Sequence, residues 1–208
     1  LLCQRGSFFG ESVGMPCVFW ATHDTGSAVG GIPMEGNQPY ISSGTWSLLG
    51  VKTPKPITDR ASEEANYSNE GGVGYNRYQK NIMGMWMMQS LRREFKHAYT
   101  FEELYELAHI GRYFTSTVDV NDDCFLSPDS MIKAVQDYCE RTDQEKPETE
   151  CELLYCIYHS LANCYAKTVA EIEEVTGRQY DTINVVGGGC QDRFLNHLLV
   201  EETGKEVY

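Results

Sequence analysis

Asp24 stands between His23 and Thr25, after the short apolar run from Pro16 to Ala21 and before the small residues Gly26 to Gly31. A strand ending there delivers three polar side chains to a sheet edge, where ligands of α/β sheets bind. A carboxylate so placed accepts a proton from a substrate hydroxyl while its neighbours hold the substrate. The same aspartate also suits the N-cap of a helix starting at Thr25. Asp24-Thr25-Gly26-Ser27 matches the core motif of aspartic proteases. That chemistry needs two carboxylates sharing one proton, and the sequence holds no second copy.

Two further turns suit an anionic ligand. Ser42-Ser43-Gly44-Thr45-Trp46-Ser47 lies between two β-prone runs and presents hydroxyls and turn N–H groups to phosphate oxygens without any lysine. It also suits an ordinary hairpin turn. Gly187-Gly188-Gly189 follows the apolar run Ile183 to Val186 and precedes a helix. Glycines there let a flat ligand lie against the backbone near a helix N-terminus, or simply close a tight turn. The spacing is not G-x-G-x-x-G, so a Rossmann dinucleotide site is unsupported. Asn81 and Gln89 bracket the entry and second turn of a helix rich in Met and Trp. Taken singly, each is an ordinary solvated or capping amide.

The elements that position these groups are legible from periodicity. Tyr40 to Val51 reads as strand, polar turn, strand, and Thr53 to Gly74, with its prolines and paired glycines, as loop. Met83, Met87, Leu91 and Phe95 recur every fourth residue with Trp86 beside them, which is one helical face. Thr100 with Glu103 forms a capping box that opens a helix running to Gly111. Ser127-Pro128 caps a third helix through Met131, Val135 and Tyr138. Thr149 with Glu152 opens the longest helix, with Leu154, Ile157, Leu161, Tyr165, Val169 and Ile172 inside and Gly177 as its stop. Phe194, Leu195, Leu198 and Leu199 line a final helix. The order of these elements implies α/β with a mixed sheet and several helices.

Thirty acidic against seventeen basic side chains give a net charge of −13 over 208 residues. A field of that sign argues against nucleic acid and an anionic membrane face as partners. A nucleotide remains admissible, since backbone N–H groups and a metal hold its phosphates. Eight scattered cysteines without a C-x-x-C argue against zinc and for buried thiols in a reducing, cytoplasmic setting. A disulfide among Cys139, Cys151 and Cys156 stays open. The chain begins at Leu1 and ends as a strand begins after Thr203-Gly204, which reads as a piece of a longer polypeptide.

In collinear order, the blocks His23-Asp24-Thr25-Gly26-Ser27-Ala28-Val29, Tyr40 to Gly50 with its Ser-Ser-Gly-Thr-Trp-Ser core, Ser68-Asn69-Glu70-Gly71-Gly72, Lys80-Asn81-Ile82-Met83-Gly84, Ser160-Leu161-Ala162 and Val186 to Gln191 resemble the FGGY carbohydrate kinase family. The resemblance implies an actin-like, ribonuclease-H-like architecture of two lobes, with ATP and sugar in the cleft between them. Residues 1–37 would then be the end of the first lobe and a hinge with the catalytic aspartate, and residues 38–208 the second lobe, truncated at its C-terminus. It implies ATP-dependent phosphorylation of the 1-hydroxyl of L-rhamnulose, with Mg²⁺, and with the first lobe of the same polypeptide as partner. Sibling chemistry on L-fuculose or D-xylulose stays open, as does a non-catalytic sugar or nucleotide sensor. By the same resemblance Asp24 is the general base. His23, Thr25 and Asn81 contact the ketose, and Thr45, Gln89 and Gly188 lie on the nucleotide side. Two positions depart from the family pattern. Gly26 stands for a usual alanine and is expected to widen the turn after Asp24. Asp192 stands for a common asparagine and is expected to change only the cap of the last helix.

Overall fold

The structure is a computed structural model, and it describes residues 8–12, 15–18, 24–34, 37–72 and 74–208. An antiparallel pair, β1 (Phe8–Ser12) and β2 (Met15–Val18), precedes the helix α1 (Asp24–Gly31). Then follow β3 (Tyr40–Ser43), β4 (Ser47–Thr53), α2 (Arg60–Glu64), β5 (Tyr67–Gly71) and β6 (Asn76–Ile82). The helices α3 (Trp86–Glu94), α4 (Phe101–Ile110), α5 (Met131–Arg141) and α6 (Glu150–Thr176) come next. β7 (Thr182–Val186), α7 (Arg193–Thr203) and β8 (Glu206–Val207) complete the chain.

Six strands form a mixed sheet in the order β5-β6-β4-β3-β7-β8. The pairs from β5 to β3 are antiparallel, whereas β7 joins β3 and β8 in parallel. Because side chains alternate across a strand, the register sorts them into two faces. Ile41, Leu49, Val51, Tyr78, Ile82, Ile183 and Val185 point to one face and form a single apolar core with α3, α4, α5 and α6. Tyr40, Arg77 and Gln79 belong to the other face. There Val29 and Ile32 of the α1 segment pack with Tyr40 in a separate small cluster, and the Tyr40 hydroxyl donates to Gln79 Oε1 at 2.7 Å.

The capping boxes at Thr100/Glu103 and Thr149/Glu152 are both formed, and the longest helix stops at Gly177 in the left-handed conformation. All six apolar residues expected inside that helix are buried. Tyr165 sits among them, and its hydroxyl bonds Ser47 Oγ at 2.5 Å across to β4. No helix among the described residues is long and apolar enough to cross a membrane.

Several expectations are corrected. The stretch from Thr53 to Gly74 is not all loop, for it contains α2, capped by Asp59 through Ser62 N at 2.8 Å, and the edge strand β5. β5 is polar and mostly exposed, so it carries no apolar alternation to betray it. Asn81 is not at a helix entry but near the end of strand β6, paired with Leu48 of β4. The cap of α5 is Ser130 rather than Ser127. Its hydroxyl accepts from Lys133 N at 3.1 Å and donates to Glu94 of α3 at 2.6 Å, a tertiary contact that local sequence does not reveal. Gly26 lies inside α1, not in a turn. A Cβ there would stand 3.3 Å from the Arg77 guanidinium, a tight contact with the end of a long side chain of the sheet. Cys124, Cys139, Cys151, Cys156, Cys164 and Cys190 are free thiols, with Cys139 of α5 and Cys156 of α6 both buried.

Candidate active site

The carboxyl ends of β3 and β7 lie side by side, because the two strands run parallel with Ser42 opposite Val186. Both candidate ligand turns therefore leave the sheet at the same edge. After β3 the chain turns through Gly44, Thr45 and Trp46, closed by Gly44 N donating to the Trp46 carbonyl at 3.0 Å. After β7 it enters Gly187 and a single helical turn over Gly188–Gln191.

The two turns touch through Ser43. Gly187 has φ 87°, a conformation that L side chains rarely adopt, and a Cβ on it would lie 2.5 Å from the Ser43 carbonyl oxygen. A Cβ on Gly189 would collide with Ser43 Oγ. At Gly188 an added Cβ meets nothing within 4 Å. The outer two glycines are thus demanded by packing, and the middle one presents bare backbone to open space. The first N–H groups of a helical turn have no acceptor within it, so this backbone is a hydrogen-bond donor surface.

The N-terminus of α3 arrives beneath the Gly44–Trp46 turn. Met85 N donates to the Gly44 carbonyl and Trp86 N to the Thr45 carbonyl, both at 3.0 Å. These bonds fix the turn from below and leave Thr45 exposed. Gln89 follows one turn into α3, also exposed, with its N–H on the Met85 carbonyl at 2.9 Å. Behind the turn, the Tyr165 hydroxyl bonds Ser47 with Ser43 alongside, and burial pushes that phenol well above its usual range. Beyond the glycine turn, Asp192 is buried and caps α7. Its Oδ1 accepts from Leu195 N at 3.0 Å and its Oδ2 from the Tyr158 hydroxyl at 2.8 Å. Burial raises its carboxyl above the ordinary range despite these bonds.

The structure thus gathers Thr45, Gln89 and Gly188 around one sheet edge. Asn81, next to last in β6, lies at that edge too, since Ile82 pairs with Ser47 at the start of β4. Alternation puts Asn81 on the α1 side, in a row with Arg77 and Gln79. Asp24 and Thr25 open α1, while His23 lies outside the described residues. The row Arg77, Gln79 is a feature that local reading missed. Arg77 is 3% exposed, donates to Glu70 Oε2 at 2.8 Å, and lies under Gly26 of α1. Alternation of Arg77, Gln79 and Asn81 against Tyr78, Lys80 and Ile82 is the signal that would have found it.

A family model described as "FGGY family of carbohydrate kinases, C-terminal domain" matches residues 39–208. A rhamnulokinase of Halalkalibacterium halodurans is 46% identical over 201 residues, covering 95% of this chain and 43% of that protein. Rhamnulokinases of Oceanobacillus iheyensis and Bacillus subtilis are 44% and 42% identical, each over 90% of this chain and 40% and 39% of their own lengths. The chain therefore spans about two-fifths of the curated relatives it matches. Among solved structures, a xylulose kinase from Rhodospirillum rubrum superposes with a TM-score of 0.62 at 13% identity, covering 95% of this chain and 39% of that one. A xylulose kinase from Bifidobacterium adolescentis gives 0.56 at 14%, covering 84% and 33%. At such identities the likeness shows the fold, the mixed-sheet lobe of an actin-like, ribonuclease-H-like architecture.

Proposed function

The chain belongs to the FGGY family of carbohydrate kinases and carries its C-terminal domain, and on that premise we propose that it serves an ATP-dependent phosphorylation of the 1-hydroxyl of L-rhamnulose. The observation that carries this reading is the pair of turns after β3 and β7, meeting at Ser43 with Gly188 bare between them. Such a cradle of backbone donors receives a nucleotide without a cluster of cations, which suits a chain of net charge −13. The likeness to rhamnulokinases at 42–46% identity supports L-rhamnulose as the ketose in this reading.

In this reading Asp24 takes the proton of the 1-hydroxyl as the sugar oxygen bonds the γ-phosphorus and the bond to ADP breaks. Asp24 is the first residue of α1, and the positive end of a helix favours the ionised form of a carboxylate. His23, Thr25 and Asn81 hold the ketose. Thr45 donates to phosphate oxygens, Gly188 lets the nucleoside approach, and Gln89 bounds the nucleotide side. Mg²⁺ enters with ATP as part of the substrate. The described residues hold no group of three or more His, Cys, Asp and Glu side chains that would cage an ion, and Mg²⁺ commonly rides on nucleotide phosphates with its waters. The protein's share is positioning and charge stabilisation. Residues 1–37 would end the first lobe and form the hinge, with the second lobe from residue 38. Six free thiols fit a reducing compartment such as the cytoplasm.

The test is ATP consumption by the polypeptide that contains this chain, with L-rhamnulose against L-fuculose and D-xylulose. L-rhamnulose should give the highest kcat/KM. Asp24→Asn should lower kcat by about 10²–10⁴, the usual worth of a positioned base, with little change in nucleotide affinity. An unchanged kcat would reduce Asp24 to a helix-terminal residue.

A further inference from the structure

A cavity of about 890 Å³ opens on the α6 side of the sheet, across the sheet from α1. Its walls are α2, the end of β6, the segment 117–121 and the middle of α6, and neither Gln89 nor the Gly187–Gln191 turn contributes. Trp46 and Asn81 border both this cavity and the nucleotide edge, and alternation along β6 turns the Asn81 side chain to the opposite, α1 face. Its volume falls within the ~300–1,000 Å³ of small-molecule sites.

The lining is unusually polar for such a space. Along α6, Ser160, Asn163, Cys164, Lys167, Thr168 and Glu171 face it, three and four residues apart on one stripe. Parts of the stripe have structural duties. Ser160 Oγ accepts from Val118 N at 2.8 Å, and Glu171 accepts from Lys80 at 3.0 Å and from the Tyr67 hydroxyl at 2.9 Å. Asn163 and Lys167 make no side-chain hydrogen bond among the described residues, nor does the Trp46 indole. These uncommitted groups line the cavity, and Trp46 is 44% exposed.

Charge decides between ligand classes. Lys80 is matched by Glu171 and Glu64 by Arg60, which leaves Lys167 and Asp119 as one charge of each sign. A polyanion gains nothing there, and an apolar ligand would strip water from several amides with nothing in return. A neutral ring with many hydroxyls fits both demands, because its C–H face covers an indole and its hydroxyls bond amides and a carboxylate. We propose that this cavity is a second site, separate from the catalytic cleft, that binds a neutral saccharide.

Isothermal titration and saturation-transfer NMR of the full chain with L-rhamnose, D-glucose and maltose test this, with inorganic phosphate as the charged competitor. At least one sugar should bind saturably below about 50 mM, a free energy typical of weak small-ligand sites. Asn163→Leu on α6 and Trp46→Ala on the β3–β4 turn should each raise its Kd at least about tenfold. Their melting temperatures report whether the fold persists, and loss through either folded variant suffices. Asp24→Asn and Gly188→Val should leave the Kd unchanged, which separates failure here from failure of the kinase reading. The inference is overturned by no saturable binding, by binding that survives both cavity variants, by binding lost with Asp24→Asn, or by displacement with phosphate.

Discussion

Gly188 and its neighbours separate a ligand contact from a structural turn at the resolution of single methyl groups. Because a Cβ at Gly188 meets nothing within 4 Å, Gly188→Val should keep the wild-type melting temperature. It should raise the KM for ATP about tenfold or more and leave the sugar KM within roughly threefold. Gly189→Ala should do the reverse, with a stability loss of about 1–3 kcal/mol from overpacking on Ser43. A Gly188→Val protein that melts early but binds ATP normally would end the nucleotide assignment. Asp192 offers a pH test. Its folded carboxyl is raised by burial above the unfolded value of 3.8, so the folded state holds that proton more tightly. The associated stability is present below the unfolded value and lost as pH rises through the folded one. Asn at 192 can still accept from Leu195 N and can donate to the Tyr158 oxygen, with no buried charge. Asp192→Asn should therefore melt no lower than wild type at pH 7, and the advantage should vanish near pH 3. At this scale residue type in the sequence singled out Thr45, Gln89 and Gly188, and the fold brings all three to one sheet edge. Residue type could not show that Ser43 is the hinge pin between the turns, because that contact spans some 140 residues of chain.

The elements differ in how plainly they announce themselves, and the reason is burial. α6 carries its own start, stop and apolar stripe, so its limits follow from local chemistry. Thr149→Ala should cost about 1 kcal/mol by freeing the Glu152 amide from its cap. Denaturant midpoints with an unchanged m-value would measure it. Ser130→Ala should cost more than Thr149→Ala, although its sequence signature is weaker. Ser130 also ties α5 to Glu94 of α3, and Glu94 takes Met131 N at 2.5 Å as well. Equal losses would mean that the bridge between helices adds nothing to the cap. β5 and β6 escaped local reading for the opposite reason. β5 is a polar edge, and β6 has one face in the core and one under α1, where Arg77 and Gln79 replace the apolar residues that usually signal burial.

At the scale of the molecule, the question is what one lobe can do by itself. The cradle at the β3 and β7 ends is built from residues 43–47, 84–89 and 187–192, all inside the matched C-terminal domain. Asp24 lies before that domain, and the chain covers 43% of the first relative's length. Nucleotide binding and phosphoryl transfer should therefore separate. The chain by itself should bind ATP, more weakly than the polypeptide that contains it, because a one-sided cradle buries less of the ligand and leaves its phosphates facing water. It should not consume ATP with L-rhamnulose, since transfer needs the γ-phosphate and the sugar hydroxyl held about 3–3.5 Å apart, and misplacement by an ångström already costs about 10² in rate. Equilibrium titration with ATP and a coupled ADP-release assay on the same preparation measure the two halves. Binding abolished by Gly188→Val, with no turnover, is the expected result. Turnover by the chain alone, at a rate lost in Asp24→Asn, would place the whole catalytic apparatus within these 208 residues.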